Sequence, residues 1–158
     1  MIEREEVRVL DINAEYLGVP TEALMENAGW ALAQEIVSRF GEGLRLAVLC
    51  GPGNNGGDGF VAARALTKSN RVRVFLASPS SEIRSPEARL NFERVEELHR
   101  TYSGDDLSGY DVLVDALLGV GARGRPRGNF ATMVEAMNAS GRPVVSADMP
   151  TGLGSDLA

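Results

Sequence analysis

The chain has 158 residues, 44% hydrophobic and 24% charged, enough to bury one core in a single domain of ordinary size. Lysines and arginines number 16 against 22 acids, so the formal charge of −6 argues against nucleic acid as a partner, and any phosphate must be held locally. No apolar run approaches the roughly 18 residues of a membrane-spanning helix, and the acidic start MIEREEVRVLDI is unlike a secretion signal. The single cysteine, Cys50, precludes an internal disulfide and fits a reducing, cytoplasmic setting.

In chain order, Val7, Leu10, Ala14 and Leu17 recur at helical spacing, and a second helix is expected from Pro20-Thr21 to Gly41, with Leu24, Ala28, Ala31 and Ile36 on one face. LRLAVLC (44–50) and RVRVFLAS (71–78) read as strands around the helix GDGFVAARALTKS (57–69), a βαβ unit with a parallel, right-handed crossover. SPEARLNFERVEELHR (85–100) opens on a serine-proline helix start, RTYS (100–103) fits a short edge strand, and GYDVLVDALLG (109–119) is apolar enough for a central one. NFATMVEAMNAS (129–140) and RPVVSADMP (142–150) complete the alternation. The expected fold is α/β: a Rossmann-like, doubly wound, mostly parallel sheet preceded by two helices. No linker or low-complexity tract divides residues 1–158.

Between the first strand and its helix, Gly51, Gly53 and Gly56 satisfy G-x-G-x-x-G. Glycines there permit positive φ and close backbone approach, and free N–H groups at a helix start suit a pyrophosphate. A standard dinucleotide site also needs an acid after the second strand, which RVRVFLASPSS lacks, and no Lys-Ser or Lys-Thr follows the glycines, so hydride-transfer and triphosphate readings are disfavoured. The distinctive content is Asn54, Asn55 and Asp58 among the glycines. Asn54 alone reads equally well as a cap or turn residue. An aspartate in a first helical turn repels phosphate, so the guest should also bring hydroxyls, an amide or a cation.

Two further strand ends are decorated. Asp115 interrupts an apolar strand and must be met by backbone donors, a cation or a reaction. After it Gly119, Gly121 and Gly124 alternate with Arg123, Arg125 and Arg127, a loop suited to phosphate or simply a solvated basic one. Asp148 follows the last strand, with Thr151 in a Pro-Thr-Gly turn. In strand order 3-2-1-4-5 the order reverses between the first and fourth strands, where open α/β sheets bind ligands, so these ends should be neighbours.

LMENAG (24–29), GPGNNGGDGFVAARAL (51–66), VDALLGVGARGRPRG (114–128) and ADMPTGL (147–153) together resemble the YjeF N-terminal domain family, the NAD(P)H-hydrate epimerases. The resemblance spans nearly the whole chain. It implies a homodimer that interconverts the R and S forms of hydrated NADH or NADPH at ring carbon C6, supplying a fused or separate ATP- or ADP-dependent dehydratase. Carried over by position, Asn54, Asn55, Gly56, Gly57 and Asp58, the loop Gly119, Val120, Gly121, Ala122, Arg123, Gly124 and Arg125, and Asp148 are the substrate contacts it implies. Asn55, Asp115 and Thr151 stand as ligands of a potassium ion, and Asp148 is favoured as the acid–base carboxylate because Asp115 would be engaged by the cation. The family usually has serine where Thr151 stands; threonine keeps the hydroxyl. A family aromatic near the cationic loop corresponds to Phe130. The family domain continues beyond the motif that ends at PTGLGSDLA, so the chain is expected to be the N-terminal part of a longer protein or to carry a shortened sheet.

Cys50 has no base partner evident in sequence and reads as a buried strand-end thiol; His99, the only histidine, reads as a surface or satisfied one. One cysteine and one histidine are too few soft ligands for zinc. Leu24, Met25 and Trp30 are core or dimer contacts before they are a cofactor box. The competing functional reading is a non-catalytic adaptor of the same family, in which the Asn and Asp positions should have decayed; all are present.

Overall fold

The computed structural model describes residues 20–153. Five parallel strands form one sheet: β1 (Arg45–Cys50), β2 (Arg71–Leu76), β3 (His99–Thr101), β4 (Val112–Ala116) and β5 (Val144–Ser146), in the order β3-β2-β1-β4-β5. Four α-helices connect or flank them: α1 (Thr21–Phe40), α2 (Asn54–Leu66), α3 (Pro86–Glu93) and α4 (Asn129–Ala139). The expected doubly wound α/β sheet is therefore present, and among the described strands every pairing is parallel. The helix expected over residues 3–18 lies outside the described residues. No helix among those described is long and apolar enough to cross a membrane.

Local signals set the helix ends. Pro20, in extended conformation, offers its carbonyl to Ala23 N and Leu24 N, and α1 stops at Gly41, whose φ of 88° only glycine adopts readily. Ser85 Oγ accepts from Ala88 N at 3.2 Å with Pro86 at the first helical position, so α3 starts where the serine-proline signal places it; it ends at Glu93, though, and a 3-10 turn at Glu96–Leu98 leads into β3. His99 thus belongs to a strand rather than a helix.

Alternation divides the strands between two cores. Leu46, Val48, Cys50, Val74, Leu76, Val112, Val114 and Ala116 face α1, α2 and α3. Ala47, Leu49, Phe75 and Leu113 face Met133 and Met137 of α4, with Tyr102 and Leu107 filling the rest of that side. α2 buries nine of its thirteen residues because the sheet lies under it and α1 over it, so its apolar surface runs all round. The helix that opens on the glycine turn is thereby part of the core.

Candidate functional site

β1 pairs with β2 on one side and β4 on the other, so strand order reverses between β1 and β4, and the loops after β1, β4 and β5 meet at the carboxyl edge. The glycines of the first loop are required by backbone contact rather than by φ. A Cβ on Gly51 would lie 2.0 Å from Leu117 O, and one on Gly56 only 1.9 Å from Gly51 O. One on Gly57 would strike Met25 Sδ at 2.6 Å, and one on Gly59 would strike Ala116 Cβ at 2.6 Å. None of these four, nor Gly53, has positive φ, which corrects half of the sequence rationale. Gly53 alone among them would place a Cβ in open space, so it is the glycine whose outer side faces a guest. The LMENAG motif also finds its reason here: Met25 packs on Gly57, and Gly29 is small because Val61 and Asp58 O lie against it.

The helix begins three residues earlier than the sequence suggested. Gly53 is its N-cap, without a side-chain cap, and Asn54 and Asn55 are helical, neither capping nor left-handed. Asn54 is exposed, Asp58 is partly buried one turn on, and Asn55 turns its amide inward. Both Asn55 Oδ1 and Nδ2 are buried and, among the described residues, without a hydrogen-bond partner. An unpaired buried amide costs about 1–3 kcal/mol per polar group, so this side chain is placed for something other than folding.

Asp115, only 3% exposed, is held by four donors: Leu117 N (3.2 Å) and Thr151 Oγ1 (2.7 Å) on Oδ1, Thr151 N (2.7 Å) and Ser146 Oγ (3.5 Å) on Oδ2. Thr151 Oγ1 in turn accepts from Leu118 N at 3.1 Å. Asp115 is therefore met by two backbone N–H groups and two hydroxyls, and pairs with no cationic side chain among the described residues. Asp148 is the one described non-glycine residue at positive φ (63°), at the centre of a three-residue turn closed by Met149 N donating to Ala147 O at 2.7 Å. Its Oδ2 accepts from Val120 N at 2.6 Å; Oδ1 has no partner among the described residues. A Cβ on Gly119 would sit 2.6 Å from Asp148 Oδ2 and 3.4 Å from Asn55 Oδ1, so glycine lets the first, fourth and fifth strand ends converge on one point.

Gly119, Val120 and Ala122 are partly buried, whereas Gly121, Arg123, Gly124, Arg125 and Arg127 are exposed, the arginines without ion-pair partners among the described residues. The predicted residues thus fall into an inner group (Asn55, Asp115, Gly119, Asp148, Thr151) and an outer cationic loop. The oxygens of Asn55, Asp115 and Thr151 are of the kind a hard cation takes, and Asn55 Oδ1 is the one of these without a partner among the described residues. Asn55 Nδ2 calls for an acceptor besides, such as a phosphate or hydroxyl oxygen.

Two asparagines carry the site without having announced themselves in sequence. Asn129 Nδ2 donates to Ala77 O (2.9 Å), pinning the far end of the cationic loop to the end of β2. Asn91, buried at 1%, donates to Met25 Sδ (3.5 Å) and Glu87 O (3.1 Å), steadying the methionine under Gly57. The Asn129–Ala77 and Asn91–Met25 contacts join residues 52 and 66 apart in the chain, and no local pattern signals them. Cys50 is buried beneath the turn; burial, then the Asp115 and Asp58 carboxylates, push its thiol well above the usual range, which makes it inert packing. His99 stacks edge-on against Phe92 at 4.9 Å, away from the site. Phe130 is partly buried against the α4-side core, and Trp30 donates to Glu26 Oε1 on α1.

The family model for the YjeF-related protein N-terminus matches residues 21–157. The chain is 42% identical to the bifunctional NAD(P)H-hydrate repair enzyme Nnr of Pyrobaculum aerophilum, over 96% of its own length and 32% of that protein's. It is 37% identical to the NAD(P)H-hydrate epimerase of Plasmodium knowlesi, over 92% of its own length and 52% of the other's. It therefore spans about a third to a half of these curated relatives. Among solved structures, the yeast protein YNL200c superposes with a TM-score of 0.84 at 26% identity, covering 96% of this chain and 71% of the other.

Proposed function

The chain belongs to the family of the YjeF-related protein N-terminus, and from that premise we propose that it epimerises the hydrated nicotinamide nucleotides NADHX and NADPHX. The observation that carries this reading is the buried, unpartnered Asn55 amide beside the Asp148 carboxylate at Gly119. A reacting ring brought there meets one carboxylate oxygen already fixed by Val120 N and one free to take or give a proton.

C6 of the hydrated ring carries a hydroxyl and is bonded to the ring nitrogen. Inverting it requires one of those bonds to break and re-form from the other face, and each route needs one proton moved at that centre and then returned. Asp148 is the group that moves it: the carboxylate takes the hydroxyl proton as the C6–N bond breaks and passes it to the departing ring nitrogen, or, as the carboxylic acid, it protonates the hydroxyl, which leaves as water with a C6–N iminium behind; re-closure, or return of water to the other face, reverses the transfer. Asp115 does not compete, because its four donors fix it as a structural charge. Asn54, Asp58 and the backbone of Gly56 and Gly57 line the ribose and phosphate side, with Arg123 and Arg125 closing over the phosphates from the loop Gly119–Arg125.

Potassium is the cation of this proposal: Asn55, Asp115 and Thr151 would hold it, and bound there it would supply a fixed positive charge for the phosphates and for Asp115. A homodimer in a reducing, cytoplasmic setting, working with a fused or separate NAD(P)HX dehydratase, belongs to the same proposal; the name of the Nnr relatives, a bifunctional repair enzyme, supports the pairing.

The test is conversion of purified R-NADHX, with and without potassium, followed by chromatography that separates the epimers. Asp148→Asn is a clean variant because asparagine also tolerates the left-handed conformation. We expect at least about a hundredfold loss relative to the unaltered chain, in line with removal of a general acid–base. Conversion by Asp148→Asn at the unaltered rate would sink the assignment.

A further inference from the structure

The opposite, amino-terminal edge of the sheet has a gap of its own. A parallel crossover ordinarily carries a helix, yet the ten residues 102–111 between β3 and β4 contain none; α4 covers the β4 side of this face through Met133 and Met137, and Tyr102, Leu107 and Tyr110 cover the part over Phe75. The starts of β1 and β2 are left open there, in a groove of about 370 Å³ lined by Arg45, Arg71, Val72, Arg73, Gly109 and Tyr110.

Arg45 and Arg71 are register partners and Arg73 lies two residues on, so all three point to the face shared by Ala47 and Phe75. One carboxylate answers them: Asp111 accepts from Arg45 Nη2 at 3.3 Å. Arg73 donates to Leu98 O at 3.4 Å, a neutral acceptor, and the Arg71 guanidinium has no hydrogen-bond or ion-pair partner among the described residues, its backbone N donating to Leu44 O at 2.8 Å. Tyr110 is set edge-on against Phe75 with ring centroids 5.9 Å apart, which fixes its phenol at the rim. Three guanidinium groups on one face, with Asp111 paired to Arg45 and Asp105 close enough to act on Tyr110, leave a local positive excess in a chain of net charge −6 that favours an anion. The groove's volume falls in the range of small-molecule sites, and guanidinium forks match phosphate oxygens.

We propose that this groove is a second site, for a phosphate monoester, with Arg71 and Arg73 gripping the phosphate, Arg45 adding charge, and Tyr110 donating its hydroxyl. It is separate from the carboxyl-edge site: the six residues of β1 set the two about 20 Å apart. The proposal does not rest on the epimerase reading.

The test is a ¹H–¹⁵N titration of the full chain with inorganic phosphate and with ribose 5-phosphate at constant ionic strength, using chloride as the reference anion. Expected are saturable shifts at the amides of Arg71–Arg73 and Gly109–Asp111, with a Kd of about 1 mM or tighter for at least one probe. Arg71→Ser/Arg73→Ser should weaken them about tenfold or more, and Arg123→Ser/Arg125→Ser should leave them unchanged. Should the double variant not fold, Arg71→Gln, which removes a side chain with no structural partner among the described residues, decides between the outcomes. Shifts equal to those in chloride, shifts confined to residues 53–57 and 119–125, or a groove that ignores both probes and takes an acidic peptide instead would each overturn the proposal.

Discussion

Replacing Thr151 by valine tests the brace between β4 and the loop after β5 with almost no change in side-chain shape. The hydroxyl does two jobs: it donates to Asp115 Oδ1 at 2.7 Å and accepts from Leu118 N at 3.1 Å. Losing a hydrogen bond to a buried carboxylate costs about 1.5–3 kcal/mol, and leaving the Leu118 N–H unpaired adds about 1 kcal/mol, reduced because Leu118 is partly exposed. Against that, the new methyl is better buried than the hydroxyl, by about 0.5–1 kcal/mol. The backbone bond from Thr151 N to Asp115 Oδ2 survives the change. The expected loss is about 2–3 kcal/mol, or a fall in Tm of about 5–10 °C for a chain of this size. Urea unfolding followed by circular dichroism reads it. Thr151→Ser, which keeps the hydroxyl, should lose only about 1 kcal/mol. A valine variant within about 0.5 kcal/mol of the unaltered protein would refute the reasoning, and with it the view that Asp115 is held chiefly by this residue.

Other outcomes follow from the same geometry. Gly56→Ala drives a Cβ to 1.9 Å from Gly51 O and should cost about 3 kcal/mol or more, whereas Gly53→Ala meets nothing within 4 Å and should stay within about 1 kcal/mol while weakening ligand binding; thermal melts with and without nucleotide separate the two. The thiol of Cys50 should react with a disulfide reagent only after unfolding, since the folded chain holds its proton. Its raised pKa also fixes a sign: above the ordinary thiol value of 9.0 the unfolded chain releases a proton that the folded one keeps, so stability falls as pH rises. At one pH unit above that value, the unaltered protein should have lost on the order of 1 kcal/mol more stability than Cys50→Ala by denaturant titration.

The strand order was legible because it needs only the alternation of strand and helix signals plus the handedness of crossovers, and both are local properties. The candidate residues were legible as a set, since Asn55, Asp115, Asp148 and Thr151 all stand after strands that the predicted order makes neighbours, although each type alone is also a turn or cap former. What they do there was less so. The glycine turn suggested a backbone of positive φ, but whether Gly51 and Gly56 are small for φ or for contact depends on Leu117 O and on Gly51 itself, which only the folded chain brings near. Asn54 and Asn55 sit among turn-formers, so their helical state was hidden; the helix starts early because Gly53 caps it and its buried body forms core. Asn91 and Asn129 stayed invisible, as their partners lie 66 and 52 residues away.

The left-handed backbone at Asp148 sets stability and chemistry against each other. Glycine there would relax a conformation that costs a side-chain-bearing residue about 1 kcal/mol, at the expense of the carboxylate that accepts from Val120 N and stands next to Asn55 at Gly119. A population of variants selected for thermal robustness alone should therefore drift toward glycine at this position. One selected on clearance of damaged nucleotide should retain the aspartate and recover its margin elsewhere, so the sequence record of this single residue would reveal which pressure had governed a lineage.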